Sequence, residues 1–203
     1  MKKILFLSFL CIISGCYGAR ETDEVAYVLA VGFDQGEKNL LKITLQVANP
    51  RNIAGGAGGG GAGGQQQQGG GGQETAIVYS VEAPTLFGAM DLLEGVIERE
   101  ISLMHAKAVI FSQELAKKGL KRFIYGLRRY REIRTTMFIF ISRGKASEFL
   151  QKNMPLLEIN PSKQYELLLR AQQVTGMVPR EQFGGFYNSM KSHGRQAICA
   201  LVD

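Results

Sequence analysis

The chain has 203 residues, with 24 Lys and Arg against 18 Asp and Glu, a formal net charge of +6, and 45% apolar side chains. That is about one globular domain by length, with an ordinary apolar share. Three cysteines and two histidines with no Cys pair at ligand spacing exclude a disulfide framework and argue against a metal centre, and no nucleic-acid fold motif is present.

Lys2 and Lys3 precede an apolar run that closes on Ile13-Ser14-Gly15-Cys16. A charged head, an apolar middle and small residues before a cleavage point make a secretory signal peptide, and a cysteine at the junction makes it a bacterial lipoprotein signal. Residues 1–15 are then the signal, and Cys16 is the first mature residue and the lipidation site. Two or three acyl chains anchor stably where one is marginal. The competing reading is an ordinary signal peptide with an incidental cysteine, or an uncleaved anchor. Phe6 to Ile13 is too short to cross about 30 Å of hydrocarbon. Loss of Lys2 and Lys3 leaves 22 basic and 18 acidic side chains, a surplus of +4. Such a surplus suits anionic headgroups or an acidic partner but is weak evidence for either. Cys11 lies in the signal and Cys199 stands alone, so stability has to come from the core.

Residues 16–24 form a polar, lipid-anchored spacer, and residues 25–192 form the main domain. Val25 to Phe33 is almost continuously apolar, which predicts a strand buried on both faces. Asp34 to Asn39 has turn chemistry, and Leu40 to Val47 alternates, so the two runs make an antiparallel hairpin. Residues 52–74 are Gly-rich with a Gln65–Gln68 tract and have almost nothing to bury, which predicts a disordered surface loop. No Gly-Lys-Ser/Thr follows, so the glycines are not a phosphate cradle.

Ala76 to Glu82 reads as a third strand. A helix follows from Thr85, with Leu86, Phe87, Met90, Leu93, Val96 and Ile97 at helical spacing. Ser102 to Ala106 is a connection, and Lys107 to Ser112 is a fourth strand. Gln113 to Lys118 and Leu120 to Arg131 are helical runs punctuated by Gly119. Met137 to Ser142 is a fifth strand, and Lys145 to Gln151 is a short helix. Asn160 caps a helix with Pro161 at its first position, and Gly176 ends it. Pro179 opens another helical segment reaching about Met190. Ala197 to Val202 starts a strand, so residues 193–203 read as the truncated opening of a following domain. The fold class is α+β, a mixed sheet with flanking helices.

Several stretches together resemble the Ger(x)C family of spore-germination lipoproteins, the third component of nutrient germinant receptors. Gly15-Cys16-Tyr17-Gly18-Ala19-Arg20-Glu21 is similar to the family's Gly-Cys-Trp-Asp, two variable residues and Glu; Cys16 and Glu21 fit, while Tyr17 and Gly18 depart. Val31-Gly32-Phe33-Asp34 is similar to its apolar-Gly-apolar-Asp, and Gln46 to Pro50 before a Gly-rich insert also fits. Met104 to Gly119 fits as well. In Arg129-Tyr130-Arg131-Glu132-Ile133-Arg134, Tyr130 replaces an Asp that the family usually has before the Glu and Arg. The resemblance covers most of Cys16 to Gln196. It implies the N-terminal domain of a multi-domain, non-enzymatic protein on the outer face of the spore inner membrane, acting with integral-membrane receptor subunits.

No catalytic, cofactor-binding or metal-binding residue emerges. Ser112, Ser142 and Ser189 lack a nucleophile-elbow setting, and no nucleophile sits with a base. The candidate residues besides Cys16 are structural or partner-contacting: Glu21, His105, Arg129, Glu132 and Arg134. His105 reads as a buried hydrogen-bonding residue at a strand start, or as a proton-sensitive contact. Arg129, Glu132 and Arg134 read as an ion-pair network pinning a helix end to the sheet, or as a partner patch. Eight cations between Lys117 and Arg134 form a solvated basic face or lie against anionic headgroups. The functional expectation is a lipid-anchored accessory subunit of a nutrient germinant receptor, working by protein contact and meeting the nutrient only indirectly. The alternative is a lipid-anchored solute-binding protein that captures a small nutrient itself.

Overall fold

The computed structural model describes residues 24–38, 41–49, 76–153, 163–167, 170, 176 and 178–203. The Gly/Gln-rich stretch 52–74, the signal, Cys16, Glu21, and the cap at Asn160 and Pro161 lie outside them. The elements in chain order are β1 (Val25–Asp34), β2 (Leu41–Ala48), β3 (Ala76–Ala83), α1 (Leu86–Val96), β4 (Glu100–Ser102) and β5 (Ala108–Ser112). There follow α2 (Gln113–Lys117), α3 (Lys121–Arg129), β6 (Phe138–Ser142), α4 (Ala146–Lys152), α5 (Phe183–Lys191) and β7 (Ala200–Val202). Residues 163–167 are also helical.

The strands make one mixed sheet in the order β3-β2-β1-β5-β6-β7, with β4 beside the start of β1. The β1–β2 and β2–β3 pairs are antiparallel, and the β1–β5, β5–β6 and β6–β7 pairs are parallel. The α+β expectation therefore holds. The antiparallel hairpin holds too, and Glu82 secures its turn by accepting the N–H groups of Glu37 and Lys38 at 3.2 and 3.3 Å.

Strand β1 is central and buried on both faces, as its unbroken apolar run requires. One feature of it is invisible in that run. Val28 pairs with Val47 but Ala30 with Gln46, so the register shifts at Leu29. An extra residue in one strand reverses which side chains face which layer. Ala26 and Val28 before the bulge, and Val31 and Phe33 after it, consequently all face one core. Ala30 faces the other.

The larger core lies under α1, α2, α3 and α5, and takes Met90, Leu93, Leu115, Ile124, Leu127 and Phe183. The smaller lies on the opposite side of the sheet, where Ala146 and Leu150 of α4 and Tyr165 pack on Ala30, Ile110 and Phe140. The molecule thus has three layers, with the sheet in the middle. Thr85 caps α1 by accepting Gly88 N–H at 3.1 Å, and Ser112 caps α2 by accepting Leu115 N–H at 3.3 Å. Gly119 ends α2 at φ +102, and Gly176 takes φ +64.

Three local readings differ from the structure. Strand β4 falls at the edge of a predicted connection; three residues are too short to show a period, and pairing with Val25–Tyr27 makes them a strand. Phe87 and Val96 were expected on the apolar face of α1 but are 49% and 62% exposed, because Leu86, Ala89, Met90 and Leu93 already fill the seam. Helix α5 begins at Phe183, not Pro179. Before it Glu181 accepts the Ile139 N–H at 3.3 Å and Gln182 bridges Phe138, so this stretch is held extended against β6.

Candidate functional site

The residues that stand out chemically are polar groups buried in an apolar setting, since each must find a partner there. Asp34, 2% exposed, ends β1. Its two carboxylate oxygens accept the N–H groups of Ala146 at 2.6 Å and Ser147 at 2.9 Å, in the first turn of α4. Helix α4 has no cap of its own, because Lys145 at the capping position offers no acceptor. A carboxylate there satisfies free N–H groups and faces the positive end of the helix dipole. Gly32 lets the helix come close: a Cβ on it would stand 2.9 Å from Leu150 Cδ1 and 3.3 Å from Ala146 Cβ.

Gln46, fully buried in β2, holds the other end of the same helix. Its Nε2 donates to the Leu150 carbonyl at 3.1 Å, and its Oε1 accepts from the Tyr165 hydroxyl at 3.2 Å. Burial pushes the Tyr165 phenol up to about 12, against a smaller lowering by a hydrogen bond with Asn153. Gly32, Asp34 and Gln46, which carry two of the stretches that resemble the family, therefore form a clamp on α4. Their role is structural.

His105 sits in the connection from β4 to β5 and is exposed, not buried. Its ring meets the Tyr27 ring edge-on at 5.0 Å. Glu132 fastens the same connection: its Oε2 accepts the Leu103 N–H at 2.7 Å. Arg129 and Arg134 are exposed. Arg129 and Glu132 line an open groove of about 610 Å³ together with Phe87, Glu94, Glu100 and Arg131. Its aromatic wall is the stacked pair Phe87 and Tyr130, with centroids 5.9 Å apart. Burial first, and then the carboxylates of Glu94, Glu132 and Asp91, push the Tyr130 phenol upward. The structure thus brings Arg129, Tyr130 and Glu132 to one groove, and leaves His105 beside Tyr27.

The eight cations from Lys117 to Arg134 are all exposed. Phe123, Ile124 and Leu127 turn inward from α3, as expected. Cys199 is a free thiol pushed up to about 11, by burial and then by Glu181. Among the described residues no group of three or more His, Cys, Asp and Glu is placed to hold a metal ion, and no helix is long and apolar enough to cross a membrane.

The clamp escaped sequence reasoning because its partners lie 104 to 119 residues apart. The available signals were an acid closing an otherwise apolar strand and a Gln in the middle of an alternating one.

The family model described as the spore germination protein N-terminal domain matches residues 18–203. Spore germination protein KC of Bacillus subtilis (strain 168) is 30% identical over 165 residues, which is 80% of this chain and 39% of the relative. YfkR of the same bacterium is 26% identical over 155 residues, 76% of this chain and 38% of that protein. The chain thus spans about two-fifths of the length of these relatives. No solved structure matches it. A family model covering all but the first 17 residues, with a relative aligned along four-fifths of the chain, establishes that it belongs to the Ger(x)C family of spore germination proteins.

Proposed function

We propose that the chain is a lipid-anchored accessory subunit of a nutrient germinant receptor, needed for spore germination. It acts by protein contact at the outer face of the spore inner membrane, beside integral-membrane subunits. The observation that carries this reading is a coincidence at the N-terminus. The family match begins at residue 18, two residues after the cysteine that closes a lipoprotein-type leader. A lipid on Cys16 raises the local concentration of the domain beside its membrane partners without any new contact. Mass spectrometry of the protein extracted from spore membranes tests the anchor. The expected N-terminal peptide starts at diacylglyceryl-Cys16, and Cys16→Ala moves the protein to the soluble fraction. An unmodified Cys16 in membrane-bound protein contradicts the reading.

The groove beside Phe87 and Tyr130 favours a second reading, direct capture of a small nutrient. It gathers Arg129, Arg131, Glu94 and Glu100 around the stacked rings of Phe87 and Tyr130. A few placed polar groups around an apolar surface are what small-molecule sites use. Isothermal titration with amino acids, sugars and nucleosides separates the two. Saturable binding lost in Arg129→Ala supports capture, and no binding to any of the panel removes it.

A further inference from the structure

The positive charge of this chain is concentrated in one place. Gln113 to Arg134 holds eight Lys and Arg against two Glu, a net +6 that equals the net charge of the whole chain; the rest balances 16 cations with 16 acids. The structure puts this charge on α2, α3 and the turn after them. Helix α3 buries Phe123, Ile124 and Leu127, and turns Lys121, Arg122 and Arg129 outward. Tyr125 lies among them, 5.9 Å from Lys121 Nζ and 5.3 Å from the Tyr187 ring. Cations interleaved with tyrosine suit a surface that is anionic on one side and partly apolar beneath, which is the headgroup region of a bilayer.

The domain's entry point lies near this face. Glu24 accepts the Glu100 N–H at 3.0 Å, and Glu100 lines the same groove as Arg129 and Arg131. The chain therefore enters the domain beside the C-terminal end of α3. The eight residues from Tyr17 to Glu24 link Cys16 to the domain. Extended, they span at most about 28 Å. The nine residues of α3 span about 13 Å, so the whole helix lies within reach. Glu24, Glu94, Glu98 and Glu100 gather with the single cation Arg99 where the chain enters, and anionic lipid repels this net negative cluster. The outer face of α3 is accordingly the surface that approaches, not the end of the sheet.

We infer that the outer face of α2 and α3 lies against anionic phospholipid headgroups and sets the orientation of the domain on its membrane. This rests on the anchored reading above. The test is therefore made without the lipid, so that the two fail separately. The chain from Cys16 onward, carrying Cys16→Ser, is sedimented with vesicles of phosphatidylcholine alone or with added phosphatidylglycerol. Binding is expected only to the anionic vesicles and to weaken with salt. Each cation near such a surface is worth about fivefold in partitioning, so Lys121→Gln, Arg122→Gln and Arg128→Gln together lower binding by about a hundredfold. The same charge removed from Lys145, Lys152 and Lys163, on the opposite side of the sheet from α2 and α3, changes it little. The triple Lys121→Arg, Arg122→Lys and Arg128→Lys binds like the parent and controls for folding. Equal losses in the two neutralised triples, or no preference for phosphatidylglycerol, overturns the inference and leaves the face to an acidic protein.

Discussion

Asp34 and Ala146 are 112 residues apart in sequence, and a carboxylate oxygen of one accepts the backbone N–H of the other at 2.6 Å. The end of the central strand thereby fixes the start of a helix that belongs to the opposite layer. Removing the carboxylate leaves two buried N–H groups, on Ala146 and Ser147, without their acceptor. Each costs about 1–3 kcal/mol unsatisfied, so Asp34→Ala is expected to lose about 2–5 kcal/mol in urea unfolding. Asp34→Asn keeps one oxygen and loses about half of that.

Gly32 sits where α4 passes closest to β1, with Leu150 Cδ1 and Ala146 Cβ against it. Gly32→Ala overpacks this contact and costs about 1–3 kcal/mol. Leu150 is fully buried, so Leu150→Ala alone opens a cavity and is also destabilising. Combined with Gly32→Ala it removes the clash, and the double variant is expected to be more stable than the two losses added together. A double-mutant cycle read by thermal unfolding checks the sign.

Tyr165 is held protonated by burial, with its phenol near 12 against an ordinary 10. The folded state then keeps a proton that the unfolded chain releases above pH 10. This contribution is fully present below pH 10 and is lost as pH rises from 10 through 12. At about 1.4 kcal/mol per unit, the loss is of the order of 2–3 kcal/mol. Tyr165→Phe should flatten this alkaline slope and abolish the latest phase of phenolate absorbance. It also leaves Gln46 Oε1 without its donor, which lowers stability at neutral pH by about 1–2 kcal/mol.

Glu132 holds the β4–β5 connection through the Leu103 N–H. Glu132→Ala is expected to cost about 1–2 kcal/mol and to speed hydrogen exchange at Leu103. Glu132→Gln retains an acceptor and largely restores protection. Unchanged exchange in the alanine variant would show that Glu132 is a surface group only.

Much of the sheet was legible in the sequence because β1, β2, β5 and β6 carry strong local patterns and Thr85, Ser112 and Gly119 punctuate the helices. The bulge at Leu29 was not, since an apolar run buried on both faces hides a change of parity. The short β4 exists only through its partner strand. For the candidate site, the motif residues were visible but their work was not. Asp34 and Gln46 act on a helix more than a hundred residues away. Cys16 and Glu21 stand out through the leader and the family motif and lie outside the described residues. The basic run between Lys117 and Arg134 was plain in the sequence, and its inner and outer sides followed from helical spacing.

The most direct measurement is germination of spores from three strains: intact, deleted for this protein, and deleted but carrying Cys16→Ala. Loss of optical density is followed after single nutrients are added. The expected result is that deletion abolishes the response to a defined nutrient and that Cys16→Ala reproduces most of that loss. Equal germination of all three strains with every nutrient would contradict the role, and full activity of Cys16→Ala in a strain that needs the protein would contradict the anchor.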